Sequence, residues 1–535
     1  MTGDADFLAI GICAAVISLT LWVTFAASRR SRSATGFFAA GRSITGWQNG
    51  FAIAGEFISA GSFLGTTGLI FYKGVDGAVI LCTSVVSFLP VLFLLAEKMR
   101  NVGKFTLADV LVFRTGARRV RVVVALSTIV TGTFVLLAQL VAAGVLLESV
   151  SGGIPFGLSV VVAGSLMGIY VFVGGMLATT WVQVIKSSIL SILAIVVCLG
   201  ILAKFGFSVP GMLGAATSNA AAGDAILSPG LIFGQTGAIN LISYSLAFAL
   251  GTAGMAHILI RFFTVPEAAT ARKSLGWTVA LCSIFYLIVI VMGFGTAALL
   301  GPDGADRVGA GGNLAAPTLV TELGGGRRHH RWFDRAGHGG SRRIREYRRG
   351  RRGRRDLGCG NVRPRRVAHP HPPEIRRCRH RDGGCPRGED RPVCGGRVQR
   401  RRDRTDDGDR RHHQHHLLHG YGLHGRRQCA PASLLLSLNW RRFNSTGAVW
   451  GISVGLASTV VSLMFTEALW LGSGPAPLTI QLPVIITMPL GLAAAVIGSL
   501  AGERLHGRSA DRDEKFAEML VRAETGIGAE LAETH

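Results

Sequence analysis

The chain has 535 residues, a mean hydropathy of +0.40 and a formal net charge of +24. Apolar runs of 18 or more residues recur along it, which excludes an assembly of soluble amphipathic domains. The charge is not spread over a binding surface but concentrated in one stretch: Arg327–Gln428 holds 31 Arg, no Lys and 11 Asp plus Glu, a net of +20 that leaves +4 for everything else.

The first run, Asp6–Ala27, is apolar on every face and long enough to cross a hydrocarbon core of about 30 Å. It is too long for a cleaved signal, and Arg29, Arg30 and Arg32 follow where a small-residue cleavage site would stand. Further spans are predicted near 47–72, 78–96, 122–147, 154–174, 182–205, 239–263, 276–300, 447–470 and 478–502, about ten in all. Basic residues cluster after spans one, three and seven: Arg29–Arg32, then Lys98–Arg121, then Arg261, Arg272 and Lys273. The loops Glu148–Pro155 and Ser208–Gly230 are poor in Lys and Arg, so the N-terminus is expected outside and the C-terminus in the cytoplasm of a cell (inner) membrane. Cys13, Cys82, Cys198 and Cys282 lie inside apolar runs and read as small core residues, not as a disulfide set.

Span two carries chemistry. Asn49–Gly65 places Glu56, Ser59, Ser62 and four Gly within one crossing. A charge at mid-membrane depth costs about 2.5–3.5 kcal/mol and normally faces a cavity or pathway. Gly and Ser at this density predict an interrupted helix, whose free carbonyls ligate a cation and whose free N–H groups hold an anion. Close packing through small residues is the alternative reading. Span seven repeats the pattern with Gly251, Thr252, Gly254 and His257, and two Gly-interrupted spans point to a midplane site in a transporter of inverted repeats. Gln139 and Gln183 are intramembrane amides that serve equally well as interhelical hydrogen-bond partners.

The positive-inside count fails between Glu322 and Arg441, where an odd number of crossings is required and no printed stretch has even ten consecutive apolar positions. Codon structure accounts for this. Arg is mostly CGN in a GC-rich gene, and successive CGN codons read one base later give Val, Ala, Asp or Gly. In that frame Arg343–Ala368 permits a membrane helix, and Leu418–Pro431 permits another that runs into Ser433–Trp440. Residues from about Arg327 to about Ala430 therefore read as the wrong translation frame. The rival is an Arg/His-rich nucleic-acid or metal domain. Cys378, Cys385 and Cys394 lack the close pairs of zinc ribbons, and RNA-binding tracts usually mix Lys and interleave aromatics.

The stretches Phe37–Gly65, Gly174–Lys186, Gly251–Ser274 and Arg442–Val449 resemble the sodium–solute symporter family, and within it the cation–acetate symporters (acetate permeases). The resemblance covers 1–323 and 431–535. It implies an all-α polytopic membrane protein of five-plus-five inverted-repeat (LeuT-like) fold, thirteen spans as intended, with a broken first core helix. It implies a cation site built from the Gly55 and Ile58 carbonyls beside Glu56, completed by an eighth core helix that this chain lacks. The two interrupted spans and the intramembrane amide together give a substrate site expected from Ser59, Ala60, Gly61, Ser62, Gln139, Gly251, Thr252, Gly254 and His257. Two departures stand out: the family's Pro before the span-seven His is Ala256 here, and an Asp common after the Gly-Gly…Trp motif is Gln183.

The domains expected are a membrane domain over 1–323, an aberrant segment over 324–430, the last spans over 431–502 and a cytoplasmic tail over 503–535. The function expected is symport of acetate or a similar short monocarboxylate with Na⁺ or H⁺ across the lipid bilayer, with no enzyme activity, no cofactor and no nucleic-acid partner. The rivals are a non-functional frameshifted product, a solute sensor on the same fold, and a membrane-tethered basic nucleic-acid-binding protein.

Overall fold

A backbone inside hydrocarbon must satisfy its own N–H and C=O groups, so apolar runs of this length fold as helices. The computed structural model describes residues 7–29, 33–59, 61–151, 154–232, 237–301, 304–309, 312–324, 433–466, 477–478, 483–507 and 510–528. Among the described residues every element is helical except one isolated bridge between Thr466 and Leu478. The chain divides into one unit of Met1–Leu323 with Gly408–His535 and a second of Gly324–Asp407. The stretch Arg327–Ala430, read from the sequence as frame-shifted, lies outside the described residues.

In chain order the helices are α1 (Phe7–Ser28), α2 (Ala34–Ala39), α3 (Gly46–Phe57), α4 (Thr66–Lys73), α5 (Val75–Val86), α6 (Phe88–Leu94), α7 (Ala96–Val102), α8 (Leu107–Thr115), α9 (Arg118–Ser151) and α10 (Phe156–Lys204). They continue as α11 (Val209–Asn219), α12 (Gly237–Gly251), α13 (Ala256–Leu259), α14 (Ala268–Leu300), α15 (Gly304–Val308) and α16 (Ala315–Leu323). Beyond the undescribed stretch come α17 (Ser445–Met464), α18 (Val484–His506) and α19 (Ala510–Thr525). Among the described residues seven helices are long and apolar enough to cross a membrane, or nine if each of two bent pairs counts as one span.

The expected spans 154–174 and 182–205 fall in one stretch, α10, of 49 residues. A straight helix of that length would reach about 74 Å, more than twice a hydrocarbon core. The stretch turns at Gly175, whose φ of 58° and ψ of −167° lie outside the helical region. A side chain there would meet Phe37 Cδ2 at 2.9 Å, so both backbone and space call for glycine.

Outward faces carry large apolar side chains, such as Val122, Leu126 and Ile129 on α9 and Phe172, Ile192 and Val196 on α10. In a membrane these meet lipid tails, so helix association relies on close packing more than on burial from water. Glycines supply that closeness. A Cβ on Gly50 would come within 2.5 Å of Trp277 Cβ and 2.7 Å of the Ser274 carbonyl on α14. One on Gly55 would come within 2.6 Å of the Gln183 carbonyl on α10. On α17, Gly451 meets Ala495 of α18 in the same way, at 2.6 Å.

The C-terminal helix α19 packs on α7 and α8. Asn101 Nδ2 donates to the Ala523 carbonyl (3.0 Å) and Arg522 Nε donates to the Asn101 carbonyl (3.1 Å). Arg114 stacks over Phe516 at 4.4 Å and donates to the carbonyls of Ser437, Trp440 and Arg441. Burial, with Arg512 nearby, pushes its guanidinium down to about 10, still charged at neutral pH.

Gly50→Ala should destabilise the protein by about 1–3 kcal/mol through overpacking against α14. Gly276→Ala, where nothing lies within 4 Å, should be neutral or stabilising by up to about 1 kcal/mol. Thermal unfolding in detergent checks both, and equal midpoints for the two variants would refute the close contact.

Candidate solute and cation site at two broken helices

The first break follows from local hydrogen bonding. In a continuous helix the Ser59 amide would donate to the Gly55 carbonyl. Here it donates to the Phe57 carbonyl (2.9 Å) and to Ser62 Oγ (2.9 Å), so the Gly55 carbonyl lacks its helical donor. Ile58 has a ψ of 77° and is fully buried. Ser62 Oγ also donates to the Phe57 carbonyl, and a π-helical turn over Gly61–Gly65 restarts the helix. The two halves, Gly46–Phe57 and Ser62–Lys73, meet at 60°. Serine hydroxyls thus replace backbone partners at the break, as side chains of this type do in membrane helices.

The second break lies between Ile239–Gly254 and Ala256–Thr264, bent by 41° at Met255 (φ −81°, ψ 94°). It forms without the proline that the sequence resemblance led us to expect at Ala256. Gly251, Thr252 and Gly254 are buried, and Thr252 Oγ1 hydrogen-bonds Ser87 Oγ at the α5–α6 junction. His257 is half-buried on α13.

A buried ion pair joins the two broken helices. Arg261 Nε and Nη2 both lie 2.7 Å from Glu56 Oε1, with the arginine side chain 2% exposed and the carboxylate 13%. Arg261 Nη1 donates to Thr180 Oγ1 of α10 at 2.9 Å. The Arg261 carbonyl accepts from Asn49 Nδ2 (3.2 Å), which also donates to Ser274 Oγ of α14 (3.1 Å). Arg261, counted from the sequence among basic loop residues, is therefore an interior residue that locks α3, α10 and the second broken helix. The reason is its partner: a carboxylate within reach turns a snorkelling loop charge into a buried pair.

Of the residues singled out in the sequence, Gly55, Glu56, Ile58, Ser59 and Ser62 cluster at the first break, and Gln139 Nε2 reaches Ser59 Oγ at 3.4 Å. Ala60 lies outside the described residues, and for Gly61 only its place in the π turn is described. Gly251, Thr252 and Gly254 stand at the second break, and among the described residues no hydrogen bond links them to the serines of the first. Sequence reasoning missed Arg261, Thr180 and Lys186. Lys186 had a signal: it is the only charged residue between Phe156 and Ala203.

Two gly-interrupted helices bridged by a buried ion pair define a membrane protein with a polar site at helix breaks, and the comparisons name its class. The sodium:solute symporter family model matches residues 37–327, and the chain belongs to that family. It is 41% identical over 311 residues to an uncharacterized symporter, YwcA, of Bacillus subtilis (strain 168), over 58% of this chain and 60% of the relative, so the match spans less than two thirds of that protein's length. Among solved structures it is similar to a Na⁺-coupled sialic acid symporter in a substrate-bound outward-open state, with 13% identity and a TM-score of 0.48, over 99% of this chain and 86% of that one.

Glu56→Gln should cost about 3–5 kcal/mol, because it leaves the Arg261 guanidinium buried without a counter-charge. Glu56→Gln combined with Arg261→Met should recover more than half of that loss. Thermal unfolding of single and double variants is the measurement, and a double variant no better than the single would show that charge compensation is not what the pair provides.

Proposed function

We propose that the intended protein is a cation-coupled symporter, driven by Na⁺ or H⁺, that takes up acetate or a similar short monocarboxylate across the cell membrane. The observation that carries this is the pair of helix breaks at Ile58–Gly61 and Met255, linked by Glu56 and Arg261. Family membership supports solute symport, and the resemblance to acetate permeases supports the carboxylate. In this reading the fold is a five-plus-five inverted repeat of thirteen spans. The Gly55 and Ile58 carbonyls contribute to the cation site, with the Glu56 carboxylate nearby but neutralised by Arg261. Ser59, Ala60, Gly61, Ser62, Gln139, Gly251, Thr252, Gly254 and His257 surround the solute. The N-terminus lies outside and the tail in the cytoplasm.

The same proposal holds that 327–430 is a product of a lost reading frame, so the chain as printed is inactive. Two observations support it. The family match stops at residue 327. Contact parity agrees: Arg114, before α9, binds carbonyls at 437–441, before α17, so both stretches share one side of the membrane. With α10 taken as two crossings, five lie between Arg114 and Leu323, which leaves an odd number to be made before residue 433. The printed residues there contain no apolar run of even ten positions.

Peptide mapping of the purified protein across residues 320–435 should recover peptides of the shifted frame. Arg-rich peptides matching the printed sequence would defeat the frame proposal. Radiolabelled acetate uptake into transporter-null cells should be saturable and cation-dependent with the frame-corrected gene and absent with the printed one at matched membrane abundance. Coupled uptake by the printed chain would defeat the claim of inactivity.

A further inference from the structure

We infer that Lys186, with Gln183 one helical turn before it, is the anchor for the carboxylate group of the solute. The inference rests on the symport reading above and deepens it by fixing the charge of the solute.

The argument begins with cost. Lys186 is the only charged residue along a stretch of nearly fifty, and an ammonium at membrane depth carries a penalty of about 2.5–3.5 kcal/mol unless something compensates it. The obvious compensator is already engaged. Glu56 Oε1 receives both Nε and Nη2 of Arg261 at 2.7 Å. Lys186 feels the attraction of Glu56 and the repulsion of Arg261 together, and among the described residues its ammonium makes neither a hydrogen bond nor an ion pair. The three side chains sum to +1.

Placement follows from helix geometry. Thr180, Gln183 and Ser187 of α10 all touch the site: Thr180 receives Arg261, Gln183 abuts Gly55, and Ser187 Oγ donates to the Phe51 carbonyl at 3.2 Å. At about 100° per residue these three fall within about 60° of one another, and Lys186 lies about 60° to the flank of Gln183. It therefore stands at the edge of the α3–α10 contact, beside the break, rather than on the lipid-facing side. Gln183 is itself incomplete: its Oε1 is buried with no hydrogen-bond partner. An amide oxygen in that position can receive and orient the neighbouring ammonium, leaving its N–H pair to donate to a second acceptor.

A monocarboxylate meets every one of these demands. It brings one negative charge to a cluster of net +1, and two acceptor oxygens to an ammonium and an amide. Counted over these three side chains without the coupling cation, a neutral solute would leave the ammonium uncompensated and a dianion would leave a net negative charge in a low-dielectric site.

The test uses the frame-corrected full-length protein purified in detergent, with radiolabelled acetate as probe and propionate, succinate and the neutral isostere acetamide as competitors. Wild type should bind acetate, propionate should compete, and acetamide and succinate should not. Lys186→Gln should weaken binding at least about tenfold, and Lys186→Arg, which keeps the charge, should stay within about threefold of wild type. Thermal unfolding without ligand gives an independent readout: Lys186→Gln should be at least as stable as wild type, because it removes an uncompensated charge. Unchanged acetate affinity in Lys186→Gln would overturn the inference, and so would loss of binding in both variants. If wild type binds no monocarboxylate, the substrate reading fails. A ligand-free Lys186→Gln protein clearly less stable than wild type would overturn the Lys186 inference separately, by showing that the ammonium is already compensated.

Discussion

The Glu56–Arg261 pair is the interaction on which the arrangement of the site depends. Glu56 sits beside one helix break, where backbone hydrogen bonding has lapsed, and Arg261 stands six residues past the other, in the second half of its broken helix. A buried ion pair is a poor source of net stability, because desolvation consumes much of its Coulombic gain. Its value is positional. With both contacts at 2.7 Å and Thr180 holding a third guanidinium nitrogen, the two broken helices and α10 are fixed in register. In the symport reading proposed above, in which elements rock against one another, a pair of this kind is also a joint that has to move as a unit or part at a defined cost.

Around that joint the packing is governed by what is missing from the side chains. Gly50 and Gly55 bring α3 against α14 and α10 on opposite sides, and Gly175 lets α10 turn back beside Phe37. Apolar area alone could not specify these contacts, since lipid is as good a partner for Leu or Val as another helix is. Shape does it instead: a helix face without side chains can be approached by a backbone and by nothing bulkier.

Much of this was legible in the sequence, because membrane helices are written in long apolar runs and their interruptions in Gly and Ser. The break at Ile58–Gly61 and its serines could be read directly from Asn49–Gly65. The limits were reached where partners are distant. Arg261 looked like a loop charge because positive-inside counting considers each charge alone, and its carboxylate lies 205 residues earlier. At Met255 the helix bends by 41° with Ala256 standing in place of the family's proline. The two spans read at 154–174 and 182–205 meet at Gly175, whose φ of 58° turns the stretch Phe156–Lys204 between them.

The reciprocal hydrogen bonds between Asn101 and the Ala523–Arg522 pair span 421 and 422 positions of chain. Closing a loop that long is slow compared with forming any helix hairpin within it. Docking of α19 is thus a late step of assembly. It can take place only when everything threaded before it has left α7, α8 and the tail on one side of the bilayer, so an exposed α19 would mark a mis-threaded chain to any quality-control protease that meets it.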